Sequence, residues 1–205
     1  MDNYILVLLF LLSISCQAQT PADIIVGGPC EGCEAIFESG DKKLSSIDTL
    51  PLFLENESKL KITGSVFQKD GETPAADVII YIYHTNRKGV YQTKGDETGW
   101  AKRHGFIRGW VKTDAAGSYT FYTFRPGAYP SRDEPEHIHI TVKEPGKTAY
   151  YLDEYVFADD PLLTKEKKRN SDNRSGSGIM NPVLENGMMT IHRDLILGLN
   201  IPDYE

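Results

Sequence analysis

The chain has 205 residues, 40% of them hydrophobic and 25% charged, which suits one globular domain and is too apolar for a disordered chain. Its 22 Lys and Arg against 29 Asp and Glu give a formal net charge of −7. With no basic cluster outside one loop large enough to track phosphates, a nucleic-acid partner is disfavoured.

Residues Ile5 to Leu12 form an unbroken apolar run followed by Ser13-Ile14-Ser15-Cys16-Gln17-Ala18-Gln19. This reads as a signal peptide over residues 1–18, too short to span a bilayer. Two processing routes fit, cleavage after Ala18 or lipidation at Cys16, and both predict export: periplasmic, extracellular or membrane-anchored. Residues 19–58 read as an N-terminal extension with one short helix near Glu34–Glu38. Cys30 and Cys33 lie in Gly-Gly-Pro-Cys-Glu-Gly-Cys-Glu, and in an oxidising compartment the pair most simply closes a small disulfide loop. Free thiols and a redox or metal role stay open, although a structural zinc needs four ligands and there is no second cysteine pair.

From residue 59 to 205 the pattern is that of a β domain. Over the whole chain, 18 glycines and 11 prolines mark turns, and 8 Phe, 11 Tyr and 2 Trp favour strands. Leu60, Ile62 and Val66 alternate with polar residues, and Asp77–Tyr83, Phe106–Lys112, Ser118–Phe124, Glu136–Lys143 and Met189–Leu199 are further strand candidates. Short strands with Gly and Pro turns and no long amphipathic helix predict an all-β, antiparallel sandwich. The segment Thr164–Gly178, polar and basic, reads as a mobile surface loop without an apolar anchor.

The chemistry concentrates in residues 126–142. On a strand, alternate side chains share a face, so His137 and His139 project together about 6.5–7 Å apart at Cα, while Ile138, Ile140 and Val142 face the core. His-x-His alone is weak evidence for a metal. Two tyrosines just past turns strengthen it: Tyr91 in Asn86-Arg-Lys-Gly89-Val-Tyr91 and Tyr129 in Pro-Gly-Ala-Tyr-Pro. A ferric ion stabilises phenolate directly, and two phenolates with two imidazoles suit hard, trivalent iron. His84 and His104 lack paired spacing and read as surface or supporting residues, and His192 reads as structural. Tyr81, Tyr83, Tyr119 and Tyr122 read as core or pocket walls. Trp100 and Trp110 fit an aromatic pocket or simple packing.

Taken in order, these segments resemble the intradiol ring-cleavage dioxygenases, the family of protocatechuate 3,4-dioxygenase and catechol 1,2-dioxygenase, in a short secreted form. Tyr83-His-Thr-Asn-Arg-Lys-Gly-Val-Tyr91 is similar to the family segment ending in a tyrosine ligand. Thr113–Phe121 with Pro126–Pro130 resembles the strand and turn that deliver the second tyrosine, His137-Ile-His139 the histidine pair, and Leu152–Leu162 the strand beyond it. The resemblance covers roughly residues 60–163. It implies ferric iron held by Tyr91, Tyr129, His137 and His139, a small aromatic diol and O2 as substrates, and cleavage between the two hydroxylated carbons to a cis,cis-muconate-type product. Glu134 stands where the family often has an arginine, three residues before the first histidine. Arg132 takes that part here, as the cation stabilising charge on the rearranging ring. Subunit assembly is left undefined, a homo-oligomer included.

A different class of function is also in view. Gly109-Trp-Val-Lys-Thr-Asp-Ala-Ala-Gly-Ser-Tyr-Thr-Phe is similar to transthyretin-like modules that bind partners or space other domains, and such a module has no use for two Tyr and two His at these intervals.

Overall fold

Among the described residues the chain forms fifteen short elements. A 3₁₀ helix spans Cys33–Phe37, and the strands that follow are β1 (Ile47–Thr49), β2 (Lys59–Phe67) and β3 (Ile79–Tyr83). After helix α1 (Ala101–His104) come β4 (Arg108–Lys112), β5 (Ser118–Phe124), β6 (His137–Lys143), β7 (Tyr150–Tyr151) and β8 (Tyr155–Phe157). Helix α2 (Lys165–Arg169) precedes β9 (Ile179–Met180), β10 (Val183–Glu185), β11 (Met188–His192) and β12 (Leu195–Ile196). This computed structural model describes residues 23–131 and 133–205. The export segment, Cys16 and Arg132 lie outside the described residues.

The strands form two six-stranded sheets, one in the order β1-β5-β2-β11-β10 with β12 also on β2, the other β4-β3-β6-β8-β9 with β7 on β6. The expected all-β sandwich is observed. Its central pairs β2·β5, β3·β4 and β3·β6 are antiparallel, whereas β1·β5, β2·β11, β2·β12 and β8·β9 are parallel. Parallel partners need long connections, and these strands reach the sheets from segments distant in sequence. Between the sheets, Leu60, Ile62, Val66 and Phe121 pack against Ile80, Ile82, Val111, Ile138, Ile140 and Val142, all at most 1% exposed. Removing one such ring or branched side chain costs about 2–5 kcal/mol, so this interior fixes the strand that carries His137 and His139.

A second, smaller core lies on the outer face of the β3–β4 pair. Tyr81 and Trp110, with ring centroids 4.9 Å apart, are covered by Ala35 and Ile36 of the 3₁₀ helix. Cys30 and Cys33 form a disulfide with Cα atoms 5.7 Å apart at the start of that helix. The helix lies one residue before the expected Glu34–Glu38 at both ends.

Residues 164–178 depart from the expected unanchored loop. Thr164 caps α2 by accepting from Lys167 N at 3.2 Å. The Asp153 carboxylate receives Ser171 Oγ at 2.5 Å and the backbone N–H groups of Asn173 and Arg174 at 2.8 and 3.1 Å. Arg174 is buried, donating to the carbonyls of Gly27 and Tyr151 at 2.9 Å each and lying 3.8 Å from the centroid of Tyr151. A cation that donates to backbone carbonyls and covers a ring anchors a segment without apolar residues.

His84, read from the sequence as a surface or supporting residue, is buried. It donates from Nδ1 to the Thr85 carbonyl at 2.7 Å and accepts at Nε2 from Thr123 Oγ1 at 2.6 Å, which suits the neutral ring. Burial, reinforced by the charges of His139 and His137, pulls its pKa down from 6.5 to about 4, against the opposing bond to Thr85. The unfolded chain therefore binds a proton near pH 6.5 that the folded chain refuses until about pH 4. His84 accordingly contributes full stability above pH 6.5 and loses it as pH falls toward 4, roughly 3 kcal/mol in all. Urea unfolding of iron-free protein should show this slope, and His84→Gln should flatten it by about one proton; an unchanged slope in the variant would exclude His84 as the source.

Candidate metal centre

Strand β6 begins just after Pro135, and its Ile, Thr and Val residues favour extended backbone. Ile138 and Ile140 are fully buried while His137 and His139 are half-buried on the opposite face, as the period-2 alternation requires. Tyr83 sits directly across from His139 on β3 and stacks on it, with centroids 4.4 Å apart and planes at 14°. The second face of Tyr83 carries His104 at 3.8 Å and 6°. His139 is thus the end of a stack of three rings.

The two tyrosines come from a pair of clasped turns. Asn86 Oδ1 accepts the backbone N–H of Lys88 and of Val90 at 2.9 and 3.2 Å, and its own carbonyl accepts from Gly89 and Gly127 at 3.0 Å each. Arg87 Nη1 donates to the Pro126 carbonyl at 2.6 Å, and Thr85 Oγ1 to that of Gly127 at 2.8 Å. Gly89 has φ +72°, and a Cβ there would overlap the Ala128 carbonyl. The backbone contact between the turns thus depends on a residue with no side chain. Tyr91 leaves the first turn and Tyr129 the second.

Their side chains meet the histidines. Tyr91 Oη lies 2.5 Å from Tyr129 Oη and 2.7 Å from His139 Nε2, and Tyr129 Oη lies 3.1 Å from His137 Nε2. His137 donates from Nδ1 to the Pro135 carbonyl at 2.7 Å, so its Nε2 lone pair faces the cluster. Burial, then the charge of His139, lowers the His137 pKa, against the opposing bond to the Pro135 carbonyl. His139 Nδ1 lies 3.5 Å from Glu154 Oε1, which orients its Nε2 inward in the same manner. Burial and the bond to Tyr129 push the Tyr91 hydroxyl well above the ordinary phenol range, so an ionised oxygen is stable there only beside a cation.

Two hydroxyl protons at most serve these three contacts, so lone pairs face one another across the cluster. Two oxygens and two nitrogens so disposed fit a hard or borderline transition-metal cation. Among the described residues no three His, Cys, Asp or Glu side chains gather around one point; tyrosines supply half of this donor set.

A family model described as Dioxygenase matches residues 48–174, a span containing all four donors. The chain belongs to the intradiol ring-cleavage dioxygenase family. It is 30% identical over 111 residues to the beta chain of protocatechuate 3,4-dioxygenase from Burkholderia cepacia, covering 51% of this chain and 47% of that one. It is 35% identical over 172 residues to catechol 1,2-dioxygenase 1 of Acinetobacter lwoffii, covering 74% and 53%. The chain thus spans about half the length of the curated relatives it matches. Among solved structures, the dioxygenase domain of a dioxygenase carbohydrate-binding protein fusion from Streptomyces sp. SirexAA-E superposes with a TM-score of 0.57 at 25% identity, over 78% of this chain and 94% of that domain. Hydroxyquinol 1,2-dioxygenase from Pseudomonas putida DLL-E4 shares the fold, with a TM-score of 0.55 at 16% identity over 88% and 68%.

In this family member a cavity of about 220 Å³ opens beside the donors, lined by Tyr83, Tyr91, Trp100, Arg103, His104 and Tyr129 among others. That is below the roughly 300–1,000 Å³ of sites for drug-sized ligands and suits a single ring. Trp100 is a pocket wall, whereas Trp110 packs in the small core. His104 lies behind Tyr83, and His192 is exposed and paired with Glu185 at 2.9 Å. Sequence reasoning gave Glu154 no role, although it lies in the Leu152–Leu162 segment matched to the family. Glu31, which also lines the cavity, stands between two cysteines whose spacing signals a disulfide and nothing about the metal centre.

Proposed function

We propose that this chain is a non-haem ferric dioxygenase that cleaves a catechol-type ring between its two hydroxylated carbons, incorporating O2 to give a cis,cis-muconate-type dicarboxylic acid. The observation that carries this reading is the meeting of Tyr91, Tyr129, His137 and His139 donor atoms, neighbours within 3.1 Å, at the edge of a one-ring cavity. Bound among them, ferric iron would supply Lewis acidity and a template on which the diol oxygens and O2 are brought together. His137 and His139 act as fixed donors, held from behind by the Pro135 carbonyl and the Glu154 carboxylate. Tyr129 is carried by a turn rather than a strand, and its Oη is the atom suited to take a proton from an incoming diol hydroxyl. Tyr83, Tyr91 and Trp100 line the cavity and would pack against the bound ring. Arg132 is the cation assigned to charge developing on the ring.

Export of the mature chain belongs to the same proposal. It is supported by the apolar run at residues 5–12 and by the Cys30–Cys33 disulfide, which persists in an oxidising compartment.

Purified protein loaded with ferric iron should turn burgundy through tyrosinate-to-iron charge transfer. It should consume O2 with a panel of catechols and release a ring-opened dicarboxylate. Protein that stays colourless and inert after loading would instead belong with the non-catalytic transthyretin-like modules.

A further inference from the structure

The segment that covers the small outer core also reaches the cavity. It precedes residue 48, where the family match begins, and the Cys30–Cys33 disulfide closes it into a tight loop with Glu31 inside. Three contacts hold this loop in place. A Cβ on Gly32 would stand 3.0 Å from His104 Nε2 and 3.4 Å from Trp100 Cζ3, so the backbone lies directly on those rings. Trp110 Nε1 donates to the Ala35 carbonyl at 3.3 Å, and Glu38 Oε1 accepts from Trp100 N at 2.8 Å. The base of the loop is therefore rigid, while the Glu31 side chain is exposed on the cavity rim. There its carboxylate is ion-paired with Arg103, whose guanidinium lies 5.5 Å from the centroid of Trp100.

We propose that Glu31 is a specificity-determining residue, which by neutralising Arg103 at the cavity mouth selects catechols with uncharged ring substituents against catechols that carry a carboxylate. The proposal rests on the ring-cleavage reading of the site. A ring-borne carboxylate entering the cavity gives up hydration and needs a cation in return. Arg103 is the one Lys or Arg among the described residues lining this cavity. With Glu31 in place that cation is already satisfied, and the Glu31 charge repels the same substituent. Selectivity obtained from a repulsive group needs no loss of contact with the preferred ligand. Both side chains are well exposed, so the effect is several-fold rather than orders of magnitude.

The test compares 3,4-dihydroxybenzoate with catechol. In Glu31→Gln, which keeps the side-chain size and leaves the disulfide untouched, the ratio of kcat/KM for 3,4-dihydroxybenzoate to that for catechol should rise about two- to fivefold. In the double variant E31Q/R103Q most of that gain should vanish, since the freed cation is gone. Anaerobic binding of both compounds to gallium(III)-loaded protein, followed by tryptophan quenching, should show the same shift without turnover. A ratio within twofold of the parent in Glu31→Gln, or a gain that persists in the double variant, overturns the proposal. Should the parent cleave no catechol while the gallium-loaded protein still shows the Glu31→Gln binding shift, the ring-cleavage reading fails and the selectivity assignment stands.

Discussion

His139→Ala is expected to yield folded protein that does not retain ferric iron, and with it a loss of catechol turnover of at least about 100-fold. Mutating the groups that merely orient a metal ligand typically costs 10–100-fold in affinity or activity, so removing a ligand costs more. The fold should persist, because His139 lies on the outer face of β6 with 24% of its side chain exposed and leaves no cavity in the sandwich interior. Tyr91→Phe removes one oxygen and keeps the ring that packs against Tyr83 and Tyr129. It should weaken the visible charge-transfer colour, which then rests on Tyr129 alone, and lose most turnover. Metal analysis after ferric loading and desalting, the absorbance spectrum and O2 uptake check both. Full iron content and full catechol cleavage in the two variants would remove these residues from the site.

Gly89→Ala should be among the most damaging glycine-to-alanine changes at the described residues. The position has φ +72°, and a Cβ would run into the backbone carbonyl of Ala128. Left-handed strain costs an L residue about 1 kcal/mol. Forced separation of packed backbone adds about 1–3 kcal/mol, for a total of roughly 2–4 kcal/mol. The turns that must separate deliver Tyr91 and Tyr129, whose oxygens now lie 2.5 Å apart, so iron retention should fall together with the melting temperature. Gly40→Ala is the control: it too has positive φ, at 60°, yet a Cβ there meets nothing within 4 Å. It should lower stability by the strain alone and leave iron binding intact. Equal iron loss in the two variants would mean that the contact between the turns is not what sets the tyrosine geometry.

Much of this arrangement is readable in one dimension, because it depends on local period. The strands over 59–67, 118–124 and 137–143 announce themselves through alternation, and the same alternation puts His137 and His139 on one face and Ile138 and Ile140 on the other. The turns that carry Tyr91 and Tyr129 are marked by Asn, Gly and Pro, which supply side-chain acceptors and backbone angles that few other residues provide. What escaped is non-local. The parallel pairings of β1, β11 and β12 leave no trace in the strands themselves. Residues 164–178 look unanchored until Asp153 and the carbonyl of Gly27 are brought beside them. His84 reads as either a surface or a supporting residue until Thr123, 39 positions away, closes over it.

The amino-acid sequence by itself determined the residue types able to hold a hard cation, their spacing and the all-β framework, since each follows from the conformational preferences of a few consecutive residues. Only the tertiary structure decided which atoms meet. The clasp between two turns, the Glu154 carboxylate behind His139, the ring stack through Tyr83 and the disulfide loop that sets Glu31 at the cavity mouth are contacts between segments tens of residues apart. Their distances come from how two sheets and a covering loop pack, and packing is a property of the whole chain rather than of any window of it.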